Sequence, residues 1–382
     1  MSEKPVRGVI VADCLYAGAS GGTERQILRY LQLQRAIGAA TTVVFLRGDE
    51  APVSAIEASS LVDLKIRSVV SVASVHKLLK LVQLLKSNNI QILSSYFDDA
   101  SIVCAAISRF LPDTAFVCWQ RNLAPDRGWF SDRLFKWVYK SARIVCANSH
   151  GVAKMLVDRY KVDSSRIRVI DNFPLVEQVE GDDQEHIYSQ FVSKDNSQKL
   201  IVCVANLRPV KGVEDLIDCI GLLMSRSKHA FRVAIAGDGP EMPRLREKVR
   251  ELELEETVLL LGYVKSTRRL VESADLCVLP SRAEGASNAL ASYMKEGKPI
   301  VATNVGGNAD YLQYGTYGRL VEAGRPESLA EGIEWALDHL DVAQDQGVAA
   351  KEYALNRFSE DRIISEYRSL YSELISSVRA SK

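Results

Sequence analysis

At 382 residues the chain is long for one hydrophobic core and suits two domains. It is 47% apolar and 25% charged, with 48 basic and 48 acidic residues, so it carries no net charge that would draw it to nucleic acid. The seven cysteines (Cys14, Cys104, Cys118, Cys146, Cys203, Cys219, Cys277) form no C-x-x-C pair, which argues against zinc or a disulfide framework and for reduced, buried thiols.

The N-terminus runs directly into a strand, Val6 to Asp13, nearly all apolar and therefore central in a sheet. Neither a leader sequence nor an apolar stretch near the roughly 18 residues of a spanning helix is present, which points to a cytoplasmic protein. A small-residue loop, Tyr16 to Gly22, precedes a helix to about Ile37, where Thr23 and Gln26 have the spacing of a capping box. Strands are predicted at Thr41–Leu46, Ile90–Ser95, Ala115–Cys118, Ile144–Ala147 and Ile167–Ile170. Helices are predicted at Ser74–Ser87, Asp99–Phe110, Phe130–Ser141 and Gly151–Arg159. Strict strand–helix alternation predicts a doubly wound parallel sheet.

Asp171 to Gln198 is polar, acidic in its middle, and contains Pro174. It reads as an interdomain linker with a short helix. The alternation then restarts, with strands at Lys199–Ala205, Phe231–Ala236, Val258–Leu261, Leu276–Pro280 and Ile300–Thr303. Helices lie between them at Val213–Ser225, Glu241–Leu252, Thr267–Ser273 and from Asn288, which can cap its own helix. Helices at Pro326–Leu340, Val348–Arg357 and Ser359–Ser377 close the chain. The last has Ile363, Ile364, Tyr367, Leu370, Tyr371 and Leu374 on one stripe. The expected domains are 1–175, with the C-terminal helix 359–380 packing back on it, a linker at 176–198, and 199–358. One architecture used twice places a cleft, a favoured ligand site, between the halves.

Several strand-end loops carry chemistry. Arg208 and Lys211, three residues apart after a strand, can clamp a diphosphate; a solvated loop is the other reading. Gly21-Gly22 lets a ligand approach the backbone at a helix N-terminus, or is only a tight turn. Glu24 beside it suits the helix dipole. Gly237-Asp-Gly-Pro240 is a strand-to-helix turn that sterics alone could require. Glu284-Gly285 at a helix start is an odd choice for packing and a good one for holding a ligand hydroxyl beside backbone N–H groups.

In their order and spacing these stretches, with Asn148-Ser149, Leu261-Gly-Tyr-Val264 and Gly306-Gly307, resemble the retaining nucleotide-sugar glycosyltransferases of the GT-B fold. The family is glycosyltransferase family four (glycosyl transferases group 1), and the resemblance covers nearly the whole chain. It implies two Rossmann-like α/β domains facing a cleft. It also implies transfer of a hexose-type sugar, with retention, from a nucleoside-diphosphate donor (UDP ahead of GDP). The acceptor would be a glycan or lipid-linked molecule in bacterial surface polysaccharide synthesis. No further cofactor is expected; Arg208 and Lys211 stand in for a metal on the pyrophosphate, in keeping with the lack of a D-x-D motif in the expected place. Gly21 and Gly22 would lie beside the donor phosphate, and Gly237, Tyr263 and Val264 near the base. Glu284 would meet the donor sugar hydroxyls, with the N–H groups of Gly285, Ala286, Ser287 and Asn288 facing sugar and phosphate.

Two departures stand out. The family's second glutamate, eight positions beyond the first, is Ser292 here; Glu296 and Asp310 are off register. A serine grips a ribose less well than a carboxylate, at a cost of about 1–2 kcal/mol. The histidine often found after the fourth strand is replaced by Asp98 or Asp99, and none of the five histidines fills its place. These departures keep open a catalytically weak or inactive homologue that binds nucleotide or acts as a scaffold. A fold-mate epimerase would need His and acidic pairs that are not found. Finally, Arg121 to Arg143 mixes basic residues with Trp129, Phe130, Phe135, Trp137 and Tyr139. That suits peripheral contact with an anionic membrane or a lipid-phosphate acceptor, or a half-buried helix with its aromatics in the core. Arg121-Asn122, at a strand end, resembles an acceptor-side element of some family members.

Overall fold

A computed structural model of the chain describes residues 5–12, 22–46, 60–66, 72–123, 128–173 and 198–380. Gly21, Cys14, His186 and nearly all of the expected linker lie outside them. The chain divides into two units, Met1–Leu175 with Ser359–Lys382, and Val176–Phe358.

The first unit is a 7-stranded parallel sheet in the order β3-β2-β1-β4-β5-β6-β7. Its strands are β1 (Val6–Ala12), β2 (Ala39–Phe45), β3 (Ser60–Asp63), β4 (Ile92–Ser95), β5 (Ala115–Gln120), β6 (Ile144–Ala147) and β7 (Ile167–Val169). Helices α1 (Gly22–Ile37), α2 (Val72–Ser87), α3 (Asp98–Ser108), α4 (Trp129–Ser141) and α5 (His150–Tyr160) make the crossovers. One core packs α2 to α5 on one face; the other packs α1 and the C-terminal helix on the opposite face.

The second unit is a 6-stranded parallel sheet, β10-β9-β8-β11-β12-β13. Its strands are β8 (Lys199–Val204), β9 (Phe231–Ala236), β10 (Val258–Gly262), β11 (Leu276–Leu279), β12 (Ile300–Thr303) and β13 (Arg319–Val321). Its helices are α6 (Val213–Arg226), α7 (Met242–Glu251), α8 (Arg268–Ser273), α9 (Asn288–Lys295), α10 (Gly307–Tyr311), α11 (Pro326–Asp338) and α12 (Leu340–Arg357). Helix α13 (Glu360–Ala380) returns to the first unit. There Tyr367 stacks on Trp119 and Phe173, at 5.2 and 5.3 Å between centroids, and the Tyr371 hydroxyl meets that of Tyr30 at 2.5 Å.

Both sheets are buried on both faces, so their strands read as continuous apolar runs. The edge strands β3 and β13 were not predicted: Ser60-Leu-Val-Asp63 and Arg319-Leu-Val321 each hold only two apolar residues. Three local expectations are corrected. Gln26 does not complete a capping box; its buried amide instead brackets the main chain of Phe173, donating to the carbonyl (2.9 Å) and accepting from the N–H (2.7 Å). Helix α9 is capped by Ser287, which accepts from Leu290 N at 3.2 Å, and Asn288 is its first helical residue. Helix α12 begins at Leu340 and runs through Gly347. A β-carbon at Gly347 would lie 2.6 Å from the Gly297 carbonyl oxygen, so this glycine serves close packing against the end of α9 and is not a break.

Candidate functional site

In the second sheet the strand order reverses between β8 and β11: β9 and β10 extend one way, β12 and β13 the other. In open α/β sheets such a switch point, at the carboxyl ends of the strands, is where ligands bind. Two loops leave the sheet there.

The loop after β8 contains a 3-10 turn, Pro209–Lys211, with exposed Arg208 at its start and Gly212 at its end. Gly212 has φ +62°, and a β-carbon there would sit 2.2 Å from the Pro280 carbonyl oxygen. Only glycine lets the two loops approach this closely. The loop after β11 runs from Pro280 to Ser287. Arg282 N donates to the Val210 carbonyl at 2.8 Å. Its guanidinium makes a bidentate pair with Asp215 in the first turn of α6, at 2.8 and 2.5 Å. Asp215 is buried, and its hydrogen bonds hold Arg282 protonated above its already high ordinary value.

These braces set Lys211 against Glu284. The ammonium lies 2.5 Å from Glu284 Oε1, which also accepts from Ser281 Oγ at 3.0 Å. The Glu284 residue is 7% exposed. From the β12 side, Thr303 Oγ1 donates to the Ser281 carbonyl at 2.5 Å and Gly307 N to the Glu284 carbonyl at 3.3 Å. The loop is thus fixed from both neighbouring strands, with one carboxylate and one ammonium at its centre. Such an arrangement can offer positive charge to an anion and a carboxylate to hydroxyls, with the first turn of α9 adjoining.

Residues 20–173 match the family model Glycosyltransferase Family 4, and residues 198–339 match Glycosyl transferases group 1. The chain is a homologue of the GT-B glycosyltransferases. A segment of 179 residues is 28% identical to N-acetyl-alpha-D-glucosaminyl L-malate synthase of Bacillus anthracis, covering 47% of this chain and 46% of that protein. Poly(ribitol-phosphate) alpha-N-acetylglucosaminyltransferase of Staphylococcus aureus is 22% identical over 242 residues, 61% of this chain and 46% of that one. The chain thus aligns with about half the length of these curated relatives. A crystal structure of Anabaena Alr3699/HepE in complex with UDP and glucose superposes with TM-score 0.77 at 19% identity, covering 97% of this chain and 100% of that one, a likeness of fold.

The other expected site residues of this GT-B homologue are distributed as follows. Gly22 is exposed and opens α1. Gly237 has φ +145°, and a β-carbon would lie 1.8 Å from the Ala205 carbonyl oxygen; one at Gly239 would lie 2.4 Å from that of Leu207. Packing of this turn on the loop after β8 therefore accounts for both glycines. Tyr263, 55% exposed, leaves the end of β10 with its ring free of the core. The Val264 side chain is buried in the core with Leu270 and Leu279, so a base could meet only its main chain. Gly285 is buried, Ala286 packs partly into the core, the Ser287 hydroxyl is spent as a cap, and Asn288 is half-buried.

Ser292 is half-buried on α9. The two nearby acids are each paired with an arginine. Glu296 pairs with Arg268 at 3.3 Å. Asp310 is buried in a bidentate pair with Arg357, whose guanidinium lies among the rings of Tyr311, Tyr353 and Phe358. In the first unit, Asp98 and Asp99 form the acidic first turn of α3, a placement the helix dipole favours. Arg121 donates to Asn172 Oδ1 at 2.5 Å, and its carbonyl accepts from Asn148, joining the ends of β5, β6 and β7.

Sequence reasoning missed Asp215 and the role of Arg282. Arg282 lay in view beside Glu284, but nothing local joins it to an acid 67 residues away.

Proposed function

We propose that this chain is a retaining glycosyltransferase. It transfers a hexose-type sugar from a nucleoside-diphosphate donor, UDP ahead of GDP, to a glycan or lipid-linked acceptor in surface polysaccharide synthesis. The observation that carries the reading is the Lys211–Glu284 pair at the β8–β11 switch point. In the free protein the carboxylate neutralises the ammonium. A diphosphate carries more charge and competes for Lys211, with exposed Arg208, at the start of the same turn, joining it. Glu284 is then released to accept from sugar hydroxyls. Poly(ribitol-phosphate) in the name of the staphylococcal relative supports a surface-glycan acceptor.

In this reading the bond from the sugar C1 to the β-phosphate oxygen breaks, and a bond from the acceptor hydroxyl oxygen to C1 forms on the same face. The acceptor proton passes to the departing phosphate. Arg208 and Lys211 stabilise the charge that develops on the leaving diphosphate without a metal ion. No histidine is required, because the phosphate is the base.

The reading is tested by incubating the protein with UDP-hexoses and following the slow hydrolysis that occurs without an acceptor. UDP release with the α-anomer formed first, by proton NMR, is expected from an α-linked donor. Initial release of the β-anomer would contradict retention. A second reading, a homologue that binds nucleotide without turnover, is favoured by Ser292 and by the commitment of Glu296 and Asp310 to arginines. Nucleotide binding with no donor cleavage would select it.

A further inference from the structure

The aromatics of the 121–143 stretch do not share one fate. On α4, Phe135, Val138 and Tyr139 are buried in the core and Trp137 is packed partly against it. Trp129 and Phe130, in the first turn, are 74% and 76% exposed. Arg133, Lys136 and Lys140 are exposed too. At 3.6 residues per turn, Trp129, Arg133, Lys136 and Lys140 fall within about 60° of one another around the axis, opposite the buried side, and Phe130 flanks them. Arg133 lies over the Trp129 ring at 5.3 Å. None of the three cations forms an ion pair with a described residue. The acid on this helix, Asp132, is held by Arg159 at 3.0 Å and by the Tyr160 hydroxyl at 3.0 Å. Beside α4, the end of α3 adds exposed Arg109, 6.0 Å over Trp137, and Phe110, 57% exposed.

We propose that this face of α4, with Arg109 and Phe110, docks on an anionic membrane surface. The cations complement acidic headgroups, and the two first-turn aromatics are of the kind that settle at the headgroup level. No helix among the described residues is long and apolar enough to cross a membrane, so contact through this face is peripheral. A nucleic acid is the less fitting occupant: the cations number few, and the chain's charge is balanced overall at 48 to 48. The proposal stands apart from the donor-site reading, since α4 carries none of the proposed donor residues.

The test is flotation of the full chain with vesicles of phosphatidylcholine alone and of phosphatidylcholine with phosphatidylglycerol. Association with the anionic vesicles only, weakened by salt, is expected. Lys136→Gln and Lys140→Gln should each reduce it on the order of fivefold, and the double variant Trp129→Ser, Phe130→Ser should abolish it. All four positions are on the surface, so melting temperature and UDP affinity should stay those of the parent. Equal association with both vesicles, association with neither, or full retention by the variants would overturn the proposal. So would binding of single-stranded DNA in place of vesicles. UDP titration of the same samples reports on the donor site independently, so either reading can fail alone.

Discussion

Lys211 and Glu284, 73 residues apart, meet at 2.5 Å across the point where the second sheet reverses its strand order. The carboxylate is almost fully enclosed, while the lysine side chain is 26% exposed. Breaking a fully buried pair costs about 3–5 kcal/mol. The access of water to Lys211 screens this one, so Glu284→Gln is expected to cost roughly 1–2 kcal/mol of stability. The urea midpoint measures it; an unchanged midpoint would mean that the pair does not hold in solution.

Asp215 and Arg282 act on the same site from outside it. Asp215→Asn keeps the shape but weakens a charge-assisted bidentate bond, at a cost of about 1.5–3 kcal/mol. Because the pair sets the loop that carries Glu284, amide exchange from Arg282 to Ser287 should quicken, while β8 and β11 stay protected. Nucleotide affinity should also fall in the parent and much less in a Lys211→Ala background, as expected for residues acting through one another. Equal losses in both backgrounds would assign the pair to stability alone.

Gly212 and Gly237 are fixed by backbone contact. Alanine at either position meets a carbonyl oxygen at 2.2 or 1.8 Å from a positive-φ conformation. Each substitution should cost more than about 2 kcal/mol, seen as a lowered melting temperature. Tyr263→Ala, which removes an exposed ring, should leave that temperature within a degree or so while weakening nucleotide binding if the ring meets the base.

The six described cysteines are buried. Burial pushes the Cys203 thiol from an ordinary value of 9.0 up to about 12, and raises Cys219 and Cys277 as well. Above the ordinary thiol value the unfolded chain loses these protons while the folded chain keeps them. Stability is therefore full below about pH 9 and declines as pH rises towards 12. Denaturation midpoints between pH 7 and 10.5 measure this, and thiol reagents at neutral pH should reach these six only on unfolding.

The alternating sheets were legible because parallel strands buried on both faces appear as unbroken apolar runs, as Ile201 to Val204 and Leu276 to Leu279 do. Glu284 drew attention in the sequence as a carboxylate followed by glycine ahead of a helix; the structure places it in the loop before α9, enclosed against Lys211. What the sequence hid depended on distance or on backbone shape. The helix expected from Val348 in fact starts at Leu340, and Gly347 lies inside it, packed against Gly297. Val264 looks like a ligand contact until its side chain is placed in the core. The use of Asp310 for Arg357 rests on a contact spanning 47 residues. Near Ser292, Glu296 pairs with Arg268 and Asp310 with Arg357. Ser292→Glu is accordingly expected to tighten nucleotide binding by about 1–2 kcal/mol, read by titration; unaltered affinity would place the ribose elsewhere.

The central claim is that the β8–β11 switch point holds a nucleoside diphosphate through Lys211. Calorimetric titration of the intact protein and of Lys211→Ala with UDP, GDP and ADP tests it most directly. The account predicts binding of one of the three, UDP first, and a loss of at least about tenfold in the variant, the scale of one charge-assisted contact. Binding that survives Lys211→Ala unchanged, or no binding of any of the three at millimolar concentration, would contradict it.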